Sequence, residues 1–232
     1  GIGTATPTET LHVEGSASFA GNYIINEQGR QDHVANTMSS PYYRFDGVDD
    51  IIDLSALEGG YIGNADKGYI EVAFRMDNLD SQQAIVSFGD DNSNSRIRCP
   101  EITTAGKIYV DWEIGNVNHW RATSTTTLSV NTIYHVVVVH NGTEPKLYIN
   151  GVEDTLIFTV TTDKTVWFAT ASGIDNSLIG AHESGNDARG HFLDGGQIYK
   201  VRIGNNVPTA TEVKELYSGA SVPYKYKGAN QT

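Results

Sequence analysis

Between Tyr69 and Met76 the chain alternates. Ile70, Val72, Phe74 and Met76 fall on one side; Tyr69, Glu71, Ala73 and Arg75 fall on the other. Side chains that switch sides at every residue belong to a β-strand with one face on a core and one toward water. Lys107 to Ile114 repeats the pattern, with Ile108, Val110, Trp112 and Ile114 opposite Lys107, Tyr109, Asp111 and Glu113. Trp112 therefore belongs with the core. Tyr134 to Val139 is apolar but for His135 and predicts a strand near the middle of a sheet. Gln197 to Ile203 alternates with a break in register around Lys200.

The punctuation agrees. Asn150-Gly151, between Lys146–Ile149 and Val152–Leu156, supplies the two positive-φ positions of a tight hairpin turn. One segment alone reads as helix. Thr209 and Glu212 have capping-box spacing, Val213, Leu216 and Tyr217 form an apolar stripe, and Gly219 stands where a left-handed cap would fall. Such a helix would seal one edge or end of a sandwich. About ten short strands with one late helix predict an all-β, two-sheet antiparallel sandwich. A parallel α/β fold is excluded because the helices it needs between strands are missing.

Charge and cysteine content remove several function classes. Against 28 Asp and Glu stand 16 Lys and Arg, a net charge of −12. That argues against nucleic acid and against anionic lipid as partners. A single cysteine, Cys99, excludes a disulfide framework and any cysteine-based zinc site. No apolar run is long enough for a membrane span. The chain opens Gly1-Ile2-Gly3 and reads as a processed piece of something longer.

Three segments carry a family resemblance. Tyr43-Arg44-Phe45-Asp46-Gly47-Val48-Asp49-Asp50-Ile51-Ile52 looks like an opening strand. Tyr134 to Thr143 with Lys146 to Gly151 looks like a central hairpin. Phe192 to Ile203, with the helix around Thr209 to Tyr217, looks like a closing strand and terminal helix. Together they resemble the laminin-G-like branch of the concanavalin A-like lectin/glucanase superfamily. The resemblance implies a jelly-roll sandwich over residues 31–220, followed by a C-terminal extension, 221–232.

The opening differs. Gly1-Ile2-Gly3-Thr4…Pro7…Leu11-His12-Val13-Glu14-Gly15 resembles stem segments of bacteriophage tail fibres, where three chains share an axis. Residues 1–30 are too poor in bulky apolar groups to build a core alone. Leu11, Val13 and Phe19 could bury against two sister copies; the alternative is an N-terminal strand packed on its own sandwich. A homotrimeric stem, other tail-fibre segments as partners and a place in the virion are what this resemblance implies.

Candidate sites follow from chemistry. Glucanases of the superfamily place Glu-x-Asp-x-Glu on one strand, and a period of two brings those carboxylates to one face. Here Tyr109-Val110-Asp111-Trp112-Glu113 puts a phenol where the nucleophile belongs. Asp111 and Glu113 then read as polar residues of an exposed strand face, and the chain as no enzyme. Calcium takes hard oxygen ligands; Asp90, Asp91 and Asn92 are the first candidates and Asp46, Asp49 and Asp50 the second. Tyr199 occupies the place where many relatives carry a calcium-binding Asp. His182 and His191, flanking a loop with Glu183, read as solvated loop residues before they read as metal ligands. Sugar recognition needs an aromatic face beside amides or charged groups. Trp120, His119, Arg121 and Asn118, with Tyr61 from another loop, are the candidates. The expected function is non-enzymatic recognition of a host surface polysaccharide or glycan; the alternative is a fibre spacer that binds nothing.

Overall fold

The computed structural model describes residues 42–55, 65–90, 95–171, 174–183 and 189–218. The chain divides into two units, Gly1–Ser40 and Pro41–Thr232, and every described residue belongs to the second. The expected stem, the C-terminal extension, Tyr61, Asp91, Asn92 and Gly219 lie outside the described residues.

In chain order the strands are β1 Tyr43–Arg44, β2 Ile52–Asp53, β3 Gly68–Arg75, β4 Gln83–Ala84, β5 Val86–Gly89, β6 Arg96–Ile102, β7 Lys107–Ile114 and β8 Val117–Thr127. They continue as β9 Ile133–His140, β10 Pro145–Ile149, β11 Val152–Asp154, β12 Leu156–Thr161, β13 Asn176–Ile179, β14 His182–Glu183, β15 Arg189–Gly190 and β16 Gln197–Gly204, followed by helix α1, Ala210–Tyr217. A six-stranded sheet has the order β1-β16-β3-β9-β10-β11. An eight-stranded sheet runs β12-β8-β7-β6-β5-β13-β2, with β4 beside β6. The pairings are antiparallel.

The alternating sets meet between the sheets. Ile70, Val72, Phe74 and Met76 from one, and Ile97, Ile108, Val110 and Trp112 from the other, have no exposed surface. The apolar run of β9 has a different cause: it is covered on both faces. Val136 and Val138 enter the main core, while Val137 and Val139 join Tyr69, Tyr148 and Val213 in a second cluster. Val213 belongs to α1, so the helix lies on the outer face of the six-stranded sheet and does not seal an edge or end. Thr209 caps α1: its hydroxyl accepts from the Glu212 N–H while the Glu212 carboxylate accepts from the Thr209 N–H.

Asn150 and Gly151 both take positive φ, 51° and 76°, as the hairpin requires. Val152–Leu156 is not one strand. It divides at Thr155, β11 staying in the six-stranded sheet and β12 crossing to the other. The register break in β16 falls between Ile198 and Lys200.

A polar network on the outer face of the eight-stranded sheet

β6, β7 and β8 build one polar face. In β6, Ile97 and Cys99 point inward, so Arg96 and Arg98 point out. The pairing with β7 shifts between Arg98 and Glu101, which pair with Asp111 and Tyr109 respectively. One extra residue on β6 thus brings Arg98 and Glu101 to the same face despite their spacing of three. In β7 the outward set is Tyr109, Asp111 and Glu113; in β8 it includes Asn118 and Arg121.

The face is polar but not bare. Asp111 has no exposed surface and Glu113 only 6%, which corrects their reading as residues of a solvated strand. Arg98 pairs with Asp111. Arg121 reaches the same carboxylate through Nε at 3.1 Å and Nη2 at 3.2 Å, and Asn118 Oδ1 at 2.6 Å. Arg96 pairs with Glu113 at 2.7 Å. The Tyr109 ring lies 4.9 Å from the Arg98 guanidinium carbon and 5.9 Å from that of Arg121.

Burial and the adjacent Asp111 charge push the Tyr109 phenol up to about 12. It is a neutral hydroxyl at ordinary pH. Burial opposes the charge of Arg98, but Asp111, Tyr109 and Glu101 outweigh it and hold its pKa above the usual value. Hydrogen bonding to Asp111 does the same for Arg121. Three guanidiniums and the carboxylates Glu101, Asp111 and Glu113 therefore form a fixed array of donors and acceptors with little net charge.

Trp120 is not part of that face. It has no exposed surface, and it pairs across the strands with Trp112. The two rings stack at 4.7 Å, Trp167 also stacks with Trp112 at 4.2 Å, and Trp120 Nε1 donates to Val166 O at 2.9 Å. No sugar can reach it, which corrects its expected role. Register explains the error. Ile114 pairs with Val117 and Glu113 with Asn118, but Trp112 pairs with Trp120, leaving His119 as the extra residue of a bulge. The chain separates the two sequence neighbours: Arg121 and Asn118 reach the polar face while Trp120 enters the core.

The metal candidates fare differently. Asp90 is buried. Asp46, Asp49 and Asp50 are exposed, with ligand oxygens within 4.8 Å of one another. Two of them already cap their own turn: Asp46 N–H donates to Asp50 Oδ2 at 3.0 Å and Val48 N–H to Asp46 Oδ1 at 2.9 Å. Calcium takes six to eight oxygens, so an ion there would draw on backbone carbonyls or water besides one oxygen from each carboxylate. Tyr199, in the place of the family's Asp, donates to Gln197 Oε1 at 2.6 Å and packs against Tyr42.

His182 and His191 come together, ring centroids 5.1 Å apart. His182 is 4% exposed, contrary to its reading as a solvated loop residue. Burial, then the charges of Arg98, His191 and Arg96, hold its pKa down at about 3. His191 Nδ1 lies 2.9 Å from Glu101 Oε1.

Solved structures share this architecture. The CBM40 module of a Ruminococcus gnavus IT-sialidase, bound to α2,3-sialyllactose, superposes with a TM-score of 0.61 at 16% identity, over 75% of this chain and 98% of that one. The NanB sialidase of Streptococcus pneumoniae gives 0.61 at 20% identity, over 74% of this chain but 26% of its own. A SAP-like pentraxin from Limulus polyphemus gives 0.53 at 12% identity, over 78% and 83%. At such identities the likeness is one of fold. No curated protein sequence matches the chain. The family model described as the concanavalin A-like lectin/glucanases superfamily matches residues 69–214, so the chain belongs to that superfamily.

Proposed function

We propose that this domain is a non-enzymatic carbohydrate-binding module that receives a glycan on the outer face of its eight-stranded sheet. The observation that carries the reading is Tyr109 flanked by Arg98 and Arg121, each held in place by the buried Asp111. Fixed guanidiniums and a half-exposed phenol ring offer directed donors and an apolar face, which is what a polyhydroxylated ligand needs. The same fixing disfavours hydrolysis, because Asp111 and Glu113 are each engaged by arginine and Tyr109 keeps its proton. The Ruminococcus gnavus module was solved with α2,3- and α2,6-sialyllactose, so sialylated glycans are the first to test.

In the wider setting we propose, the module sits on a phage tail fibre, recognises a host surface glycan and is held as a homotrimer by residues 1–30. Trimerisation would turn a weak single-site affinity into useful avidity. The Gly1–Gly15 resemblance supports this part.

A glycan array with wild type and Arg121→Ala tests the binding role. The expected result is retention of a defined glycan set by wild type and its loss by the variant. Retention of nothing by wild type would leave a spacer domain. Sedimentation of the 232-residue chain tests the stem, and a monomer would defeat it.

A further inference from the structure

A cavity of about 620 Å³ opens beside the polar face, lined by Ser81, Gln82, Thr103, Thr104, His191 and Phe192 among others. It is within the size range of small-ligand sites. Its walls are fixed. Ala84 N–H donates to His191 O at 2.7 Å, Leu193 N–H to Gly180 O at 2.8 Å and Asp194 N–H to Gln83 Oε1 at 3.2 Å. Across the opening, Thr103 N–H donates to Lys107 O at 2.9 Å, and the Thr103 hydroxyl accepts from Lys107 N–H at 3.1 Å. That leaves the hydroxyl proton to donate elsewhere.

His191 holds a backbone φ of 49°, uncommon outside glycine. Its Nδ1 is engaged by Glu101, a carboxylate with no exposed surface, while 36% of its side chain remains exposed. Since a carboxylate accepts, Nδ1 is the protonated nitrogen whenever the ring is neutral, and in that form Nε2 is left as an acceptor. Hydroxyls, an amide, an imidazole acceptor and the half-buried Phe192 ring are the groups that read a sugar's hydroxyls and its C–H face. Among the described residues the lining holds no Lys or Arg, and Asp194 adds a negative charge, so an anionic sugar is disfavoured there.

Resting on the glycan-binding role proposed above, we infer that this cavity takes one uncharged hexose, with His191 Nε2 accepting from a sugar hydroxyl. Glu101 joins it to the polar face, since Oε1 holds His191 and Oε2 lies 3.7 Å from Arg98 Nε.

Titration of the ¹⁵N-labelled 232-residue chain with lactose, N-acetylglucosamine and N-acetylneuraminic acid tests this. The neutral sugars are expected to shift the amides of Thr103, Thr104, His191 and Phe192. His191→Ala should weaken them about tenfold. Thr104→Trp, on an exposed turn, should block them without loss of fold. Neutral-sugar shifts confined to β6–β8 would remove the cavity as a site and leave the glycan-binding face standing. Shifts confined to the cavity would support this site and remove the face. No shift from any sugar at millimolar concentration would overturn both.

Discussion

Glu101 and His191, ninety residues apart in the chain, meet at 2.9 Å, the carboxylate wholly buried and the ring half exposed. The contact ties the loop before β16 to the irregular end of β6. Removing the carboxylate leaves His191 Nδ1 without its acceptor and Arg98 without one of its two acidic neighbours. Glu101→Ala is expected to cost about 2 kcal/mol, and Glu101→Gln, which keeps an acceptor oxygen, about half of that. Urea denaturation of both variants measures the difference, and equal losses would show that packing, not the acceptor, is what Glu101 supplies.

Trp120 is a structural residue. Replacement by Ala would open a cavity against Trp112 and orphan the Val166 carbonyl that its indole N–H satisfies. The expected loss is about 3–5 kcal/mol. Glycan retention by the folded fraction should match wild type. Chemical denaturation and array binding, read together, separate this role from a ligand-facing one.

What could be read from the chain follows from where its periodicity is unbroken. Ile70 to Met76 and Ile108 to Ile114 gave the core face because alternation alone decides it. Asn150-Gly151 and the Thr209–Glu212 cap were legible because each is a local device needing no partner. Trp120 was not, since its side depends on the β7–β8 register, and a bulge at His119 displaces that register. The usable signal was Gly115-Asn116, both at positive φ and joining β7 directly to β8. Arg96 and Arg98 were missed although Arg-Ile-Arg-Cys already places two arginines opposite two apolar residues. Glu101 could not be assigned, because only the irregularity after Arg98 turns it onto that face.

His182 makes stability depend on pH. Its folded pKa of about 3 lies below its ordinary 6.5. Between those values the unfolded chain binds a proton that the folded ring refuses. The stabilisation is therefore complete above 6.5 and is lost as pH falls toward 3. Burial moves His140 in the same direction. From His182 alone, a drop from about pH 7 to 5 is expected to remove about 2 kcal/mol. Thermal melts across that interval should show a shallower slope in His182→Gln. An unchanged slope would mean that the imidazole is not the group responsible.

Tyr109 decides between a recognition surface and a catalytic one. Its hydroxyl donates to Asp111 Oδ2 at 3.2 Å and accepts from Arg98 Nη2 at 3.1 Å, and the phenol is pushed up to about 12. A group so protonated, beside carboxylates committed to arginine, is a poor glycosyl acceptor. Tyr109→Phe keeps the ring between Arg98 and Arg121 and deletes the two hydrogen bonds. It should cost about 1 kcal/mol of stability and weaken retention on a glycan array only modestly. Neither wild type nor variant should release reducing sugar from any glycan that the wild type retains. Release by wild type that disappears in Tyr109→Phe would make the phenol a nucleophile and replace the binding role with hydrolysis.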